Sequence, residues 1–522
     1  MIRWAATVGA AVLAVALTAC VPVANPRELS ETPPNEVSGV DIPVGRVDAA
    51  VGRLDGLARD LLDSTGIPGL AVAVVHGGKT VYARGFGVRD TGRPGPDNAV
   101  NADTVFQLAS LSKSVGATVV AQQVGAGAVA WDTPVVTQLP WFELADPYVT
   151  EHLTIADLYA HRSGLPDHAG DGLEDLGYGR REVLERLKYL PLAPFRSSYA
   201  YTNFGVTAAA EAVAAAAGVG WEQLSADVLY RPLGMASTSS RYADFVAQPN
   251  RAATHVKVGN GYQPRYQRNP DAQSPAGGVS SSVNDMARWL AMVLAGGSHD
   301  GSRIIEAQAL LPAITAQIVS APAGVGTARP GFYGEGFNVS ITSSGRTQYG
   351  HSGAFLLGAA TAFAALPSQD VGIVVLTNAT PIGVPETLIA QFLDLVQYGE
   401  IRSDWAALYR EAMAPMLQPE GALVGAQPPA NPAPARPLSE YVGSYANPYW
   451  GPATVREDQG ALEVVLGPQR RRFRLAHYDG DTFTFAVQGE NAPEGTISKA
   501  EFTKDALELE FFDHDELGRF TR

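Results

Sequence analysis

The chain has 522 residues, 46% of them hydrophobic and 17% charged, and its single cysteine is Cys20. That composition is typical of a packed globular protein, and the length predicts two or more domains. The formal net charge of -15 argues against nucleic acid as a partner, because a nucleic-acid binder needs clustered lysine and arginine side chains that face the phosphates.

The first 20 residues have the pattern of an export signal. Residues 4–19 are apolar, which is short for a membrane span but suits the core of a signal peptide. They lead into the sequence Leu-Thr-Ala-Cys, which resembles a bacterial lipobox and implies that Cys20 is acylated. We therefore expect residues 1–20 to be a lipoprotein signal peptide, and the chain to be an exported cell-envelope lipoprotein, membrane-anchored through Cys20 and facing the periplasm or the outer surface. An ordinary secretory signal and an uncleaved anchor are the alternatives.

A tether and the first folded segments follow. Residues 21–43 are rich in Pro, Ser, Glu and Asn, and they predict a flexible tether. Apolar residues at helical spacing from Val47 to Leu61 predict one helix, which ends at Ser64-Thr65-Gly66. Two apolar runs, 70–75 and 80–88, flank a Gly-Gly turn and predict a β-hairpin. A helix followed by a hairpin favours an antiparallel sheet that is backed by helices.

The middle of the chain is mostly helical in pattern. Residues 110–217 contain Ala-rich and Leu-rich segments between Gly and Pro residues, which predicts a helical subdomain. Strand-like runs return at 348–366 and 371–378, and a helix follows at about 385–398. We therefore predict an α/β fold of the α+β type over residues 44–415, in which an antiparallel sheet is assembled from both ends of the domain and flanked by helices.

The composition changes after this domain. Residues 416–437 carry many Pro and Ala residues and are interpreted as a linker. Residues 438–522 contain short alternating segments joined by turn pairs such as Asp479-Gly480, which predicts a small antiparallel β-barrel similar to a lipocalin. The predicted strands of this barrel are residues 461–466, 472–476, 482–487, 499–502 and 507–512.

Ser110 and Lys113 form the first pair of residues with the chemistry of a hydrolase. They are three residues apart where a strand is predicted to end and a helix to start, so both side chains lie on one helix face. A serine hydroxyl is a weak nucleophile at neutral pH, and an amine whose pKa is lowered by burial can accept its proton. Ser110 near a helix N-terminus also offers its backbone N–H to an oxyanion. Taken alone, the pair also fits a helix-capping serine followed by a surface lysine.

Two further patches carry suitable side chains. Tyr201 and Asn203 lie where a loop leads into a predicted helix, and there a phenol can relay a proton and an amide can hold a substrate carbonyl. The second patch runs from His351 through Gly353 to Ala354 at the head of a predicted strand. His351 can hold substrate or shuttle a proton, and the backbone N–H of Ala354 can complete an oxyanion hole.

The order Ser-x-x-Lys, Tyr-x-Asn and His-x-Gly resembles that of the penicillin-binding-protein and β-lactamase superfamily. Several segments within about 44–400 are also similar to that family's: 132–134, 158–166, 232–235, 276–279 and 333–337. The resemblance implies a serine hydrolase, related to β-lactamases, D-alanyl-D-alanine carboxypeptidases and esterases, in which Ser110 is acylated. It also implies roles for other residues: Lys113 and Tyr201 as proton carriers, Asn203, His351 and Gly353 in substrate binding, and the backbone N–H groups of Ser110 and Ala354 as the oxyanion hole.

One position departs from the commoner form of the family. Class C β-lactamases and most D,D-peptidases have lysine where His351 stands, whereas the His-x-Gly form is similar to that of D-aminopeptidases and esterase-like relatives. Since histidine is mostly neutral at neutral pH, it is a poorer partner for a substrate carboxylate. We therefore expect a hydrolase of small peptides, esters or β-lactam-like molecules that cleaves a short ester best and a β-lactam weakly. His161, within the segment 158–166, is interpreted as structural.

Three other interpretations compete with this one. Residues 350–354 are one residue away from the Gly-x-Ser-x-Gly of an α/β-hydrolase, but the histidines that follow, His477 and His514, lie in the other predicted domain. The nine histidines contain no His-x-x-x-His pair, so no metal and no other cofactor is predicted. The alternative function is a non-hydrolytic envelope lipoprotein that binds penicillin or senses it. The presence of Ser110, Lys113 and Tyr201 together favours the enzyme, because folding does not require these three residues.

Overall fold

The computed structural model describes residues 32, 33 and 35–522. The predicted signal peptide and the lipidation site predicted at Cys20 lie outside these residues. In chain order, the strands that precede the predicted linker are β1 Gly69–His76, β2 Lys79–Gly87, β3 Phe106–Gln107, β4 Val256–Val258, β5 Gly261–Gln263, β6 Ser280–Ser281, β7 Ser298–His299, β8 Ser302–Arg303, β9 Ile318–Ala321, β10 Gly331–Tyr333, β11 Asn338–Ile341, β12 Thr347–Phe355, β13 Ala359–Leu366 and β14 Val371–Thr377.

Eight of these strands form one antiparallel sheet in the order β2-β1-β14-β13-β12-β11-β10-β9. β1 lies between β2 and β14, with Val72 opposite Val375. The predicted hairpin and the prediction of a sheet assembled from both ends of the domain are therefore confirmed. The run predicted at 348–366 is two strands, because the chain turns at Gly358, which has a φ of +120°. That conformation favours glycine.

The α-helices cover both faces of this sheet. In chain order they are α1 Arg46–Val51, α2 Leu54–Thr65, α3 Leu111–Gly125, α4 Pro147–His152, α5 Ile155–Tyr159, α6 Asp171–Asp175, α7 Arg180–Arg186, α8 Asn203–Ala217, α9 Trp221–Ser225, α10 Tyr242–Ala247, α11 Ser274–Gly277, α12 Val283–Leu294, α13 Ala307–Ile314, α14 Val384–Tyr398 and α15 Trp405–Met413. The helix predicted to run unbroken from Val47 is wrong in one respect, because it is divided into α1 and α2 by a tight turn in which the Arg53 N–H bonds to the Ala50 carbonyl. Its predicted end at Ser64-Thr65-Gly66 is confirmed by the end of α2.

The core follows from the alternation of side chains along the strands. Val72 and Val74 of β1 pack against α1, α2 and α14, whereas Ala71 and Ala73 point to the opposite face, which α3 and α12 cover. Successive side chains on a strand point to opposite faces, so a strand buried on both sides must be apolar throughout. β1 satisfies this requirement, because each of its residues before His76 is buried.

In this region α5, α7 and α9 contact α8, and α8 and α9 contact α3, which confirms the predicted helical subdomain. α8 is buried over most of its length. Among the residues that the structure describes, no single helix has the length and hydropathy of a membrane span, and α8 meets that test only together with Trp221–Tyr230, from which it is bent by 76°.

The C-terminal residues form two antiparallel sheets. The first contains β15 Gly443–Tyr445, β16 Ala453–Asp458, β17 Ala461–Leu466 and β18 Arg471–Arg474, and the second contains β19 Ala476–Asp479, β20 Thr482–Ala486, β21 Ile497–Phe502, β22 Ala506–Leu509 and β23 Arg519–Thr521. The predicted antiparallel β-domain is confirmed. The single strand predicted at 472–476 is wrong, because the chain leaves the first sheet at Leu475 and enters the second. A bridge between Ala446 and Thr521 joins the two sheets.

Candidate active site

Ser110 lies at the junction between β3 and α3, where it is the N-cap residue of the helix. The preceding residue, Ala109, has a φ of +48°, which is unusual for a residue that carries a Cβ atom. Neighbouring strands hold this bend, because Leu108 donates its N–H to the Val279 carbonyl (2.8 Å) and accepts a hydrogen bond from the Thr361 hydroxyl (2.6 Å). The bend places both the Ser110 hydroxyl and its N–H at the free start of α3.

Lys113 is completely buried one helical turn after Ser110. Its Nζ lies 3.1 Å from Ser110 Oγ, 2.6 Å from Asn203 Oδ1 and 3.0 Å from the Ala276 carbonyl oxygen. Burial lowers the pKa of Lys113 to about 7, although the charge of Asp171 opposes this shift. Near neutral pH the amine is therefore present both with and without its third proton.

The orientation of Asn203 decides which way the neutral amine points. The Asn203 Nδ2 group donates to Asp171 Oδ2 (2.7 Å), so Oδ1 faces Lys113. This oxygen and the Ala276 carbonyl are both acceptors, and each takes one Nζ proton. In the neutral amine the lone pair is then left to face the Ser110 hydroxyl, which is the geometry required of a general base.

Tyr201 completes the group around the serine. Its hydroxyl donates to Ser110 Oγ over 2.7 Å, and its ring centroid lies 4.5 Å from Lys113 Nζ. Burial raises the pKa of Tyr201 well above its usual value. The residue is therefore a phenol at neutral pH, and it can give a proton but is a poor base.

Strand β12 passes unusually close to the start of α3 at Gly353. A Cβ atom on Gly353 would lie 2.5 Å from the Leu108 carbonyl oxygen, 2.5 Å from Thr361 Oγ1 and 3.0 Å from Ser110 N. No side chain fits in that space, so glycine is required for the approach. Ala354 follows directly, and the structure thus brings the two residues predicted to form the oxyanion hole to one place.

His351 precedes this point on β12, and its ring is occupied by protein groups. Nδ1 lies 2.6 Å from the Ser352 carbonyl oxygen and must donate, so Nε2 accepts from the Tyr333 hydroxyl at 2.8 Å. Only 6% of the residue is exposed, and burial lowers its pKa to about 3. His351 is therefore neutral and bonded to Tyr333, and its predicted part in substrate binding stays a prediction.

Several neighbours of the site carry no motif of their own. Asp171 accepts hydrogen bonds from Asn203 and from His168 Nδ1 (2.9 Å), although it stands 32 residues before Asn203. His161, interpreted as structural, is buried with its ring 4.6 Å from that of Tyr201 and 5.0 Å from that of Tyr333. Tyr333 lies in one of the segments that resemble the family, and that resemblance was the one sequence signal for it. Among the described residues, no group of three or more His, Cys, Asp or Glu side chains is placed to hold a metal ion.

Comparisons with known proteins show what this chain is similar to. The family model described as Beta-lactamase matches residues 54–397, and a model described as a domain of unknown function matches residues 427–521. The unguisins hydrolase ungD' of Aspergillus campestris is 26% identical over 415 residues, which cover 76% of this chain and 75% of that protein. The D-alanyl-D-alanine-carboxypeptidase/endopeptidase AmpH of Escherichia coli is 26% identical over 354 residues, which cover 65% of this chain and 87% of that protein.

A solved structure is also similar in fold. The octameric penicillin-binding protein homologue from Pyrococcus abyssi superposes with a TM-score of 0.59 at 19% identity, covering 90% of this chain and all of that chain.

Proposed function

The chain belongs to the Beta-lactamase family, and on that basis we propose that it is a serine hydrolase that cleaves an amide or ester bond through an acyl-enzyme on Ser110. The observation that carries the proposal is the set of three hydrogen bonds around Lys113 Nζ. They direct the lone pair of a neutral amine at the serine hydroxyl, which no requirement of folding explains. The unguisins hydrolase and AmpH, both named as hydrolases, support the same reaction class.

The reaction begins with acylation. Neutral Lys113 accepts the Ser110 proton while Oγ attacks the substrate carbonyl carbon, and the resulting oxyanion accepts hydrogen bonds from the N–H groups of Ser110 and Ala354. The Tyr201 hydroxyl then gives its proton to the departing amine or alcohol and is reprotonated by Lys113. Attack by water on the ester of Ser110 releases the acid product and restores the serine hydroxyl.

The surroundings of His351 support a preference among substrates. A neutral imidazole that is bonded to Tyr333 offers no positive charge to a substrate carboxylate. β-Lactams and peptides with a free C-terminus carry such a carboxylate, and simple esters do not. We therefore expect a short p-nitrophenyl ester to be cleaved best, a D-alanyl amide more slowly and nitrocefin slowest. The three substrates are compared side by side as kcat/KM on the purified chain.

The decisive test is labelling with a fluorophosphonate. The parent should gain one adduct on Ser110 and hydrolyse the ester with turnover, and Ser110→Ala and Lys113→Ala should do neither at neutral pH. Ser114→Ala is the matched control, since its hydroxyl lies on the same helix but bonds to the Gly336 carbonyl. An unlabelled parent would refute the hydrolase. Labelling without turnover would instead favour the non-hydrolytic alternative.

For the N-terminal segment we propose export and acylation at Cys20. The support is the apolar stretch and the Leu-Thr-Ala-Cys sequence that ends it. The parent expressed in a bacterium should incorporate labelled palmitate and enter the detergent phase on phase separation, and Cys20→Ser should do neither. Equal partitioning of the two proteins would contradict the anchor.

A further inference from the structure

One turn of the C-terminal β-domain contacts the loop after β12 and helix α6, which lie next to the candidate active site. Gly489 and Ala492 form an antiparallel bridge, and we name the loop between them the 489–492 turn. Glu490, in this turn, accepts hydrogen bonds from two backbone N–H groups, those of Leu356 (2.8 Å) and Leu357 (3.3 Å). Both belong to the loop that joins β12 to β13.

This loop controls where β12 ends. Leu356 stands two residues after Ala354, which we place in the oxyanion hole. On its other side the loop is held by Gly358, where a Cβ atom would lie 2.3 Å from His255 N. Glu490 thus supplies acceptors for loop N–H groups that no strand pairing satisfies, and it fixes the end of β12 from outside the sheet.

The environment of Glu490 is built from both domains. Its side chain is 10% exposed, and its Oε2 lies 3.8 Å from Arg268 Nε. The Arg268 guanidinium donates to Glu174 of α6 and lies 5.1 Å from the ring centroid of Phe355, the last residue of β12. A single buried arginine therefore contacts the 489–492 turn, α6 and β12.

Asn491, the next residue of the turn, contacts helix α6. Its N–H donates to Asp175 Oδ2 (3.1 Å), and its Nδ2 donates to the Asp171 carbonyl oxygen (3.2 Å). These are the first and last residues of α6, and the Asp171 carboxylate orients Asn203 beside Lys113. The turn therefore connects β12, which carries Ala354 of the proposed oxyanion hole, with α6, whose Asp171 orients Asn203 beside Lys113.

We propose that Glu490 is a positioning residue for the hydrolase and that the 489–492 turn of the C-terminal domain holds β12 in place for oxyanion binding. The inference rests on the proposed function, since it assigns a role relative to Ala354. It gives the C-terminal domain a part in catalysis that is separate from stability. Displacement of the oxyanion N–H weakens an interaction made in the transition state more than substrate binding, so kcat should fall while KM changes little.

The test compares Glu490→Ala and Glu490→Gln in the full chain, with Tyr178→Phe as the matched control. Tyr178 also makes one contact between the domains, from its hydroxyl to the Trp450 carbonyl oxygen (2.9 Å), but lies away from β12. Esterase kcat of Glu490→Ala should fall by about 10- to 100-fold with KM within about twofold of the parent. Burial raises the pKa of Glu490 to about 8, so glutamine resembles the neutral side chain and should restore most of the loss. Tyr178→Phe should keep parental kcat.

Three results would overturn the inference: parental kcat in Glu490→Ala, an equal loss in Tyr178→Phe, or no difference between the alanine and glutamine variants. If Glu490→Ala is not recovered folded, Glu490→Gln alone decides, because its kcat should still lie severalfold below that of the parent. If the parent and Tyr178→Phe form no acyl-enzyme, the proposed function itself fails. If all the variants are acylated normally, the inference about Glu490 fails while the proposed function stands.

Discussion

Replacement of Asp171 by asparagine should shift the pH dependence of acylation to lower pH. The Asp171 carboxylate raises the pKa of Lys113 through its charge, against the larger opposite effect of burial. Asparagine keeps an oxygen that can accept the Asn203 amide proton, so the orientation of Asn203 is retained while the charge is lost. Removal of the charge should lower the pKa of Lys113 further and leave more of the amine neutral at acidic pH.

The size of this shift follows from the geometry. Two hydrogen bonds of 2.6 and 2.7 Å, joined by the Asn203 amide, connect Lys113 Nζ with the Asp171 carboxylate. Charges about 6 Å apart at an effective dielectric constant of about 20 interact by about 2 to 3 kcal/mol, which corresponds to a displacement of about 1 to 2 pH units. In the parent, the acylation rate should rise with pH through about 7, since only the neutral amine accepts the Ser110 proton.

The assay is the burst of p-nitrophenol from a short ester, recorded between about pH 4 and about pH 9. Asp167→Asn is the control, because this carboxylate lies four residues before Asp171 but is 64% exposed and accepts a hydrogen bond from the Tyr201 N–H. The inflection should move down by about 1 to 2 pH units in Asp171→Asn and stay near that of the parent in Asp167→Asn. An unmoved or raised inflection in Asp171→Asn would refute the assignment of Lys113 as the base.

Other substitutions test the remaining parts of the site. Tyr201→Phe removes the hydroxyl that donates to Ser110 Oγ, and the burst rate should fall by about 10²- to 10⁴-fold. Gly353→Ala should lower kcat/KM by about 100-fold, since its Cβ atom meets the Leu108 carbonyl, whereas Gly261→Ala, with free space around it, should not. Since the folded-state pKa of Glu490 is raised to about 8, its contribution to stability is present below about pH 4 and is lost as the pH rises through about 8. Between about pH 4 and about pH 8 the Tm of the parent should therefore fall relative to that of Glu490→Gln. A Tm difference that stays constant with pH would contradict the raised pKa of Glu490.

Most of the fold could be predicted from the sequence, because the pattern of apolar residues along a strand is a local signal. The apolar runs of β1 and β14 predicted two strands that pair inside the sheet. Local patterns fail where the chain turns inside an apolar run. Residues 348–366 show no polar break between β12 and β13, and the change of sheet at Leu475 falls inside an alternating segment.

The candidate site was predictable to the extent that its residues lie in short motifs. Ser110 and Lys113 are predicted from their spacing on a helix, and Tyr201 and Asn203 from their place where a loop leads into a helix. The structure places Ser110 Oγ within hydrogen-bond distance of Tyr201 and Lys113, and Lys113 within that distance of Asn203. Asp171 and Tyr333 have no such spacing rule, since their contacts depend on how α6 and β10 pack against other elements. Asp171 therefore has no sequence signal, and the one signal for Tyr333 is the family-like segment 333–337 in which it lies.

His351 shows how much of a side chain's chemistry a motif leaves open. The Ser352 carbonyl fixes the proton on Nδ1 and thereby makes Nε2 an acceptor for Tyr333. The sequence predicted that His351 holds substrate or shuttles a proton, and that role stays a prediction. The contact with Tyr333 was not predicted, because it depends on how β10 and β12 are placed in the sheet. If His351 acts by holding Tyr333, then Tyr333→Phe should reduce activity about as much as His351→Gln. A large loss of activity in His351→Gln together with parental activity in Tyr333→Phe would instead favour direct contact between His351 and the substrate.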